Sequence, residues 1–206
     1  MLASIAMKRR FHTLKVRVAG LTLIEILVGV AILGVIVAVA VPSMSDLLER
    51  RRVIAAAEEV AGILNYAKAE TNATNSELDV NFQPDSAMSC AVVAPAVGYN
   101  RCQCNRTPST VCQNSGAVAL RLFQLPKTYV KFEAAATWGS LANRYYLKFS
   151  REQSIIKMED FRVNVTGLKK GYNLRVEVNT IGRVKICSPS SANAITGYGA
   201  CTPLSP

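Results

Sequence analysis

Residues 20–41 read GLTLIEILVGVAILGVIVAVAV, and the reading of this stretch decides the rest. From Leu21 to Val41 the chain carries a single charge, Glu25, in 21 residues. As a helix rising 1.5 Å per residue, the run measures about 30 Å, the thickness of a bilayer core. An ionised carboxylate in hydrocarbon costs about 2.5–3.5 kcal/mol even on insertion scales, so Glu25 needs a cationic partner. Its place near the start of a helix already favours negative charge.

On the N-terminal side, residues 1–20 are short, basic and without a long apolar run. Lys8, Arg9, Arg10, Lys15 and Arg17 face no acid there. A basic flank holds its side of the membrane cytoplasmic and sends the C-terminal part outward. A secretory signal peptide would place a small-residue cleavage site after an apolar core of about 7–15 residues. Here the small residue, Gly20, precedes the apolar run. A plain signal anchor explains the length and the flank but not Glu25.

Gly20-Leu21-Thr22-Leu23-Ile24-Glu25 resembles the prepilin motif of type IV pilins and type II secretion pseudopilins. The resemblance implies cleavage by a prepilin peptidase between Gly20 and Leu21, and N-methylation of Leu21, where phenylalanine is more usual. It makes Glu25 the fifth residue of the mature chain, an assembly residue. The free amine of a neighbouring subunit's N-terminus would supply its cation as helices stack. Pro42 stands where pilins commonly bend their helix, and proline removes one backbone hydrogen bond there.

Beyond Pro42 a helical pattern continues to about Thr71. Leu47, Ile54, Ala57, Ala61 and Leu64 form one stripe, while Glu49, Arg50, Arg51, Glu58, Glu59 and Lys68 mostly occupy the other faces. Asn72 to Ser76 reads as a stop. Alternation then marks strands at 78–82 and 145–149. Further strands are expected at 155–158, 161–165, 174–178 and 183–187, with a hairpin loop at 166–173 containing Gly167 and Gly171. Residues 84–118, with three prolines and four cysteines, read as an irregular disulfide-pinned loop. The expected fold is α+β and pilin-like: a long kinked helix, membrane-spanning in its first half, packed on a small antiparallel sheet. The order is a removable leader over 1–20, a membrane or filament-core helix over 21–41, its amphipathic continuation over 42–75, and an extracytoplasmic β-rich head over 76–206.

The six cysteines, Cys90, Cys102, Cys104, Cys112, Cys187 and Cys201, all lie in the part expected outside the membrane, which fits an oxidising compartment. Six allow fifteen pairings. Cys187 and Cys201 bracket a short C-terminal loop, and a disulfide loop there is a habit of many pilins. The other four would then pair among themselves, though Cys102 and Cys104 are poorly placed to bond each other. The competing reading, a four-cysteine zinc site, lacks the usual C-x₂-C spacing.

The chain's single histidine, His12, lies in the leader. A mature chain starting at Leu21 therefore has no His for a catalytic triad or for metal ligation. No phosphate-binding glycine loop and no useful carboxylate pair is visible. The sequence reads as a non-enzyme that needs no cofactor and no metal.

The C-terminal half, ending in Gly182-Arg183-Val184-Lys185-Ile186-Cys187, resembles the FimT, FimU and GspH group of minor pilins and minor pseudopilins. Lys185 stands where a second arginine would be. The resemblance implies a bacterial inner-membrane protein with a periplasmic head. Its partners would be other major and minor pilins or pseudopilins, the prepilin peptidase and the inner-membrane assembly platform. The leading expectation is a minor type IV pilin that helps initiate or cap pilus assembly. The alternatives are a minor pseudopilin of a type II secretion system and a minor pilin that binds DNA for uptake. The DNA reading draws on Lys169, Lys170, Arg175, Arg183 and Lys185 as one phosphate-contacting patch. Against it, lysine is common on the solvent side of sheets.

Overall fold

In the computed structural model the described residues are 20, 22–96, 102–113, 117–135, 145–150, 161–189 and 192–201. Residues 1–19 of the leader, Leu21 and the strand expected at 155–158 lie outside them. The chain divides into two compact units at Pro42/Ser43.

Helix α1 spans Leu23–Thr74 and is helical through Pro42. Its start is capped: the Glu25 N–H donates to Thr22 Oγ1 (3.3 Å) and Thr22 O (3.1 Å). Thr22 is thus the N-cap and Glu25 sits at N3, the spacing of a capping box. At the other end Thr71 and Thr74 turn their hydroxyls back onto the carbonyls of Ala67 and Glu70. Asn75, at φ 49°, closes the helix in the left-handed conformation.

Among the described residues the second unit holds eight strands in two antiparallel sheets rather than the one small sheet expected. They are β1 (Leu78–Pro84), β2 (Met88–Pro95), β3 (Arg121–Pro126), β4 (Val130–Ala135), β5 (Tyr146–Phe149), β6 (Phe161–Gly167), β7 (Asn173–Val178) and β8 (Val184–Cys187). One sheet runs β3-β2-β1-β5 and the other β4-β6-β7-β8. The expected hairpin is present, with Val163 opposite Val176 and Val165 opposite Leu174, and Gly171 turns the chain at φ 73°.

One core joins both sheets to the second half of α1. Val53, Ala57, Val60 and Leu64 meet Leu78, Val80, Leu147 and Phe149 from the first sheet, and Val163, Val165, Leu174 and Val176 from the second. Aromatic rings cross between the sheets. Phe132 of β4 lies edge-on to Phe82 of β1 (6.3 Å) and stacks on Phe123 of β3 (5.3 Å). Ser89 in β2 accepts the Phe132 N–H at 2.9 Å, a buried polar tie between the same sheets.

Residues 84–118 are not simply a loop, because β2 runs through them. β2 is buried on both faces: Ala91 and Val93 face the main core, while Cys90, Val92 and Ala94 face a second cluster with Cys102, Cys104 and Val111. A strand covered on both sides reads as a continuous apolar run, so MSCAVVAP shows no alternation. The cysteine loop is a lid over its outer face.

Candidate functional site

The first unit presents an apolar cylinder. Leu23, Val35 and Val39 are 81 %, 68 % and 71 % exposed, and Ile24, Val30, Leu33 and Ile36 are exposed around the same stretch. It is the one described helix long and apolar enough to cross a membrane. Among the described residues, none comes within 4 Å of where a Cβ at Gly20 would lie. Glu25 therefore sits in a capped first turn at the head of an exposed apolar run.

The second unit meets α1 at a clamp that sequence patterning did not anticipate. Glu49, expected on a polar face, is 3 % exposed. Its Oε1 accepts the backbone N–H groups of Lys169 (2.9 Å) and Lys170 (3.0 Å), and Oε2 also accepts from Lys170 (3.0 Å). The carboxylate thus caps the β6–β7 turn, and Gly167 leaves room for it: a Cβ there would lie only 2.8 Å from Glu49 Cδ. Arg50 and Arg52 flank the turn, their guanidinium carbons 4.8 Å and 4.0 Å from the ring centres of Tyr172 and Tyr129. The physical reason for the burial is spacing. Glu49, Val53, Ala56 and Val60 follow one face of the helix at i, i+4, i+7 and i+11. An acid in line with the buried stripe was the available signal. Conversely Leu47, placed in the stripe by sequence, is exposed. Lys68 is another turn holder, donating to the carbonyls of Gly182 (3.0 Å) and Ile181 (3.4 Å).

The five basic residues grouped by sequence fall at two places: Lys169 and Lys170 before β7, and Arg175, Arg183 and Lys185 along β7 and β8. Lys169 and Lys170 lie in the turn before β7, and Arg183 follows β7 in the turn Asn179–Gly182. The six residues of β7 separate them, about 20 Å at 3.3 Å per residue. Arg175 is held by Asn164 (3.1 Å) and Glu177 (3.6 Å). Lys185 donates to Ala200 O at 2.9 Å. Lys169, Lys170 and Arg183 keep exposed side chains.

The cysteines pair as Cys90–Cys104, Cys102–Cys112 and Cys187–Cys201. All six sulfurs are thereby committed to one another. Glu177 approaches Cys187 and Cys201, but both sulfurs of that trio are in a disulfide rather than available as thiolate ligands.

A cavity of about 610 Å³ opens between the sheets beside Phe82, Asp85, Lys127, Glu133 and Asn164. Lys127 Nζ there donates to the main-chain carbonyl of Asp85 (2.6 Å) and pairs with Glu133 (3.2 Å). Backbone N–H groups of Ala87 and Met88 hold the Asp85 carboxyl below its ordinary range. On the outer side of the first sheet, burial pushes Asp79 up to about 6, against the pull of Lys148.

Neither a family model nor a curated protein matches the sequence. Two crystal forms of the type IV minor pilin FimU of Pseudomonas aeruginosa are similar in structure. The first shares 16 % identity, covers 72 % of this chain and 96 % of that one, and gives a TM-score of 0.48. The second shares 15 % identity over 69 % and 96 %, with a TM-score of 0.42. The described fold is α+β: one long N-terminal helix, its second half packed on two antiparallel sheets, and a disulfide-pinned head.

Proposed function

We propose that this chain is a minor type IV pilin, a structural subunit that helps initiate or cap a pilus. A prepilin peptidase cuts between Gly20 and Leu21, and Leu21 becomes the methylated N-terminus. The apolar helix anchors the subunit in the inner membrane with the head in the periplasm, then enters the filament core. Pro42 is the expected site of a bend.

One observation carries this reading. An exposed apolar helix of bilayer length holds a lone carboxylate, Glu25, at a capped N-terminus five residues after Gly20. A plain anchor has no use for that charge. A subunit whose neighbour brings a free N-terminal amine does, because the pair neutralises both ends as helices stack. In this reading, pilins and the assembly platform are the partners. The C-terminal Cys187–Cys201 loop favours a pilus over a pseudopilus.

The test is the intact mass of the protein recovered from membranes with and without the peptidase. The expected product in its presence begins at methylated Leu21. An uncut mass in both strains overturns the pilin reading and leaves a membrane-anchored domain.

A further inference from the structure

The cavity between the sheets, at about 610 Å³, falls within the size range of small-molecule sites, about 300–1,000 Å³. Bonds within the head fix its walls. Asp85 caps the β1–β2 turn by accepting the N–H groups of Ala87 (2.8 Å) and Met88 (3.2 Å). Lys127 ties the same turn to Glu133 of β4, through the Asp85 carbonyl. Glu133 stands directly opposite Asn164 in the β4–β6 register, so a carboxylate and an amide lie side by side. Three further polar side chains line the cavity: Gln83, Ser86 and Tyr145. Among the described residues, none of the three hydrogen-bonds to another protein group. Asn164 Oδ1 takes the Arg175 Nε–H at 3.1 Å, which leaves its amide N–H donors unspent.

The chemistry of these groups selects the ligand. Glu133 pairs with both Lys127 and Lys131 at 3.2 Å, and the Asp85 carboxylate is taken by backbone N–H groups. The charges in the wall thus have partners inside the protein, and the unspent groups are neutral. Hydroxyls and amides each offer donor and acceptor capacity, and the Glu133 oxygens keep lone pairs beyond those the two lysines use. Phe82 and Phe132 add apolar ring carbon to the lining. The matching molecule carries hydroxyls that both donate and accept around its edge, and C–H groups on its face. We propose that this cavity binds a neutral sugar of monosaccharide or disaccharide size. The proposal goes beyond the pilin reading and concerns the head alone, so it stands or falls whether or not the chain is cut at Gly20.

The test is saturation-transfer-difference NMR on the full-length chain in lauryldimethylamine oxide, a detergent without a sugar headgroup. The probes are glucose, galactose, mannose, N-acetylglucosamine and their common disaccharides, each at about 10 mM, ten-fold above a millimolar Kd. Glucuronate and acetylated, amidated triglycine are the controls. At least one neutral sugar should receive magnetisation at its ring protons. Tyr145→Phe and Gln83→Ala each delete one hydrogen bond and should weaken that sugar about five-fold. Ser86→Trp, on the exposed turn, should obstruct the cavity and weaken it more than ten-fold. Arg183→Ala, away from the cavity, should leave the Kd unchanged. Melting temperatures of the variants separate lost binding from lost folding, and Ser86→Trp tests the site even where the other two unfold. Absence of transfer to every neutral sugar overturns the proposal, as does binding that Ser86→Trp leaves intact in a folded chain. Glucuronate bound as tightly as glucose overturns it in favour of an anion site. Transfer to the triglycine alone overturns it in favour of a peptide.

Discussion

Replacing Glu49 by alanine removes the acceptor of three hydrogen bonds from two backbone donors at 2.9–3.0 Å, in a site that water barely reaches. A hydrogen bond to a charged group contributes about 1.5–3 kcal/mol, and stranded donors add their desolvation cost. Part of that is recovered as the turn relaxes toward solvent, since Lys169 and Lys170 are exposed. A net loss of about 3 kcal/mol follows for Glu49→Ala. For a unit running from Ser43 to Pro206, at about 2–4 °C per kcal/mol, Tm should fall by roughly 6–12 °C. Glu49→Gln keeps one acceptor oxygen without its charge and should lose about 1 kcal/mol. The assay is thermal unfolding of the detergent-solubilised chain followed by near-UV circular dichroism. A Glu49→Ala variant melting within about 1 °C of the parent, a shift worth under 0.5 kcal/mol, would refute the claim that the carboxylate holds the turn.

Two further outcomes are expected. Asp79 is easier to protonate in the folded state, with its pKa raised from 3.8 to about 6, so its ionisation costs stability as pH rises through that window and costs nothing below it. Asp79→Asn should therefore gain about 1 kcal/mol over the parent near neutral pH, after allowing for solvent screening of a partly exposed group. Urea midpoints should converge in acid, and a difference independent of pH would refute this. Removing the Cys187–Cys201 bridge as a double serine variant should lower stability by about 3 kcal/mol for a closed loop of this size. Limited proteolysis should then cut within 188–200, and an unchanged digestion pattern would show that the hydrogen bonds of Ser188 and Lys185 suffice.

The helix was legible because its apolar run and its capping residues are local. So were β1, β5, β6 and β7, whose inward residues alternate against solvent. β2 was hidden by burial on both faces, which erases the alternation. β4 carries Val130, Phe132 and Ala134 in alternation, a signal present but short. β3 mixes Leu122, which faces the cysteine cluster, with Phe123 and Leu125, which face the main core, and so shows no period. The Glu49 clamp depends on a turn 120 residues away, and no local pattern reports such a partner. The C-terminal bridge follows the pairing that the family resemblance implies, but Cys90–Cys104 and Cys102–Cys112 needed coordinates. Of the basic residues grouped by sequence, Lys169 and Arg183 lie beyond opposite ends of one strand, a separation that proximity in sequence does not report.

The two bridges of the cysteine loop overlap, since Cys102 lies inside the interval closed by Cys90 and Cys104, and Cys104 inside that closed by Cys102 and Cys112. A single peptide-bond break anywhere between residues 90 and 112 is therefore spanned by at least one disulfide, and a break between 187 and 201 is spanned by the third. Clipping there yields a nicked molecule of unchanged composition, apart from one added water. Its two pieces separate only on a reducing gel. A surface appendage built from such heads would tolerate proteolytic wear at its most irregular segments without shedding material.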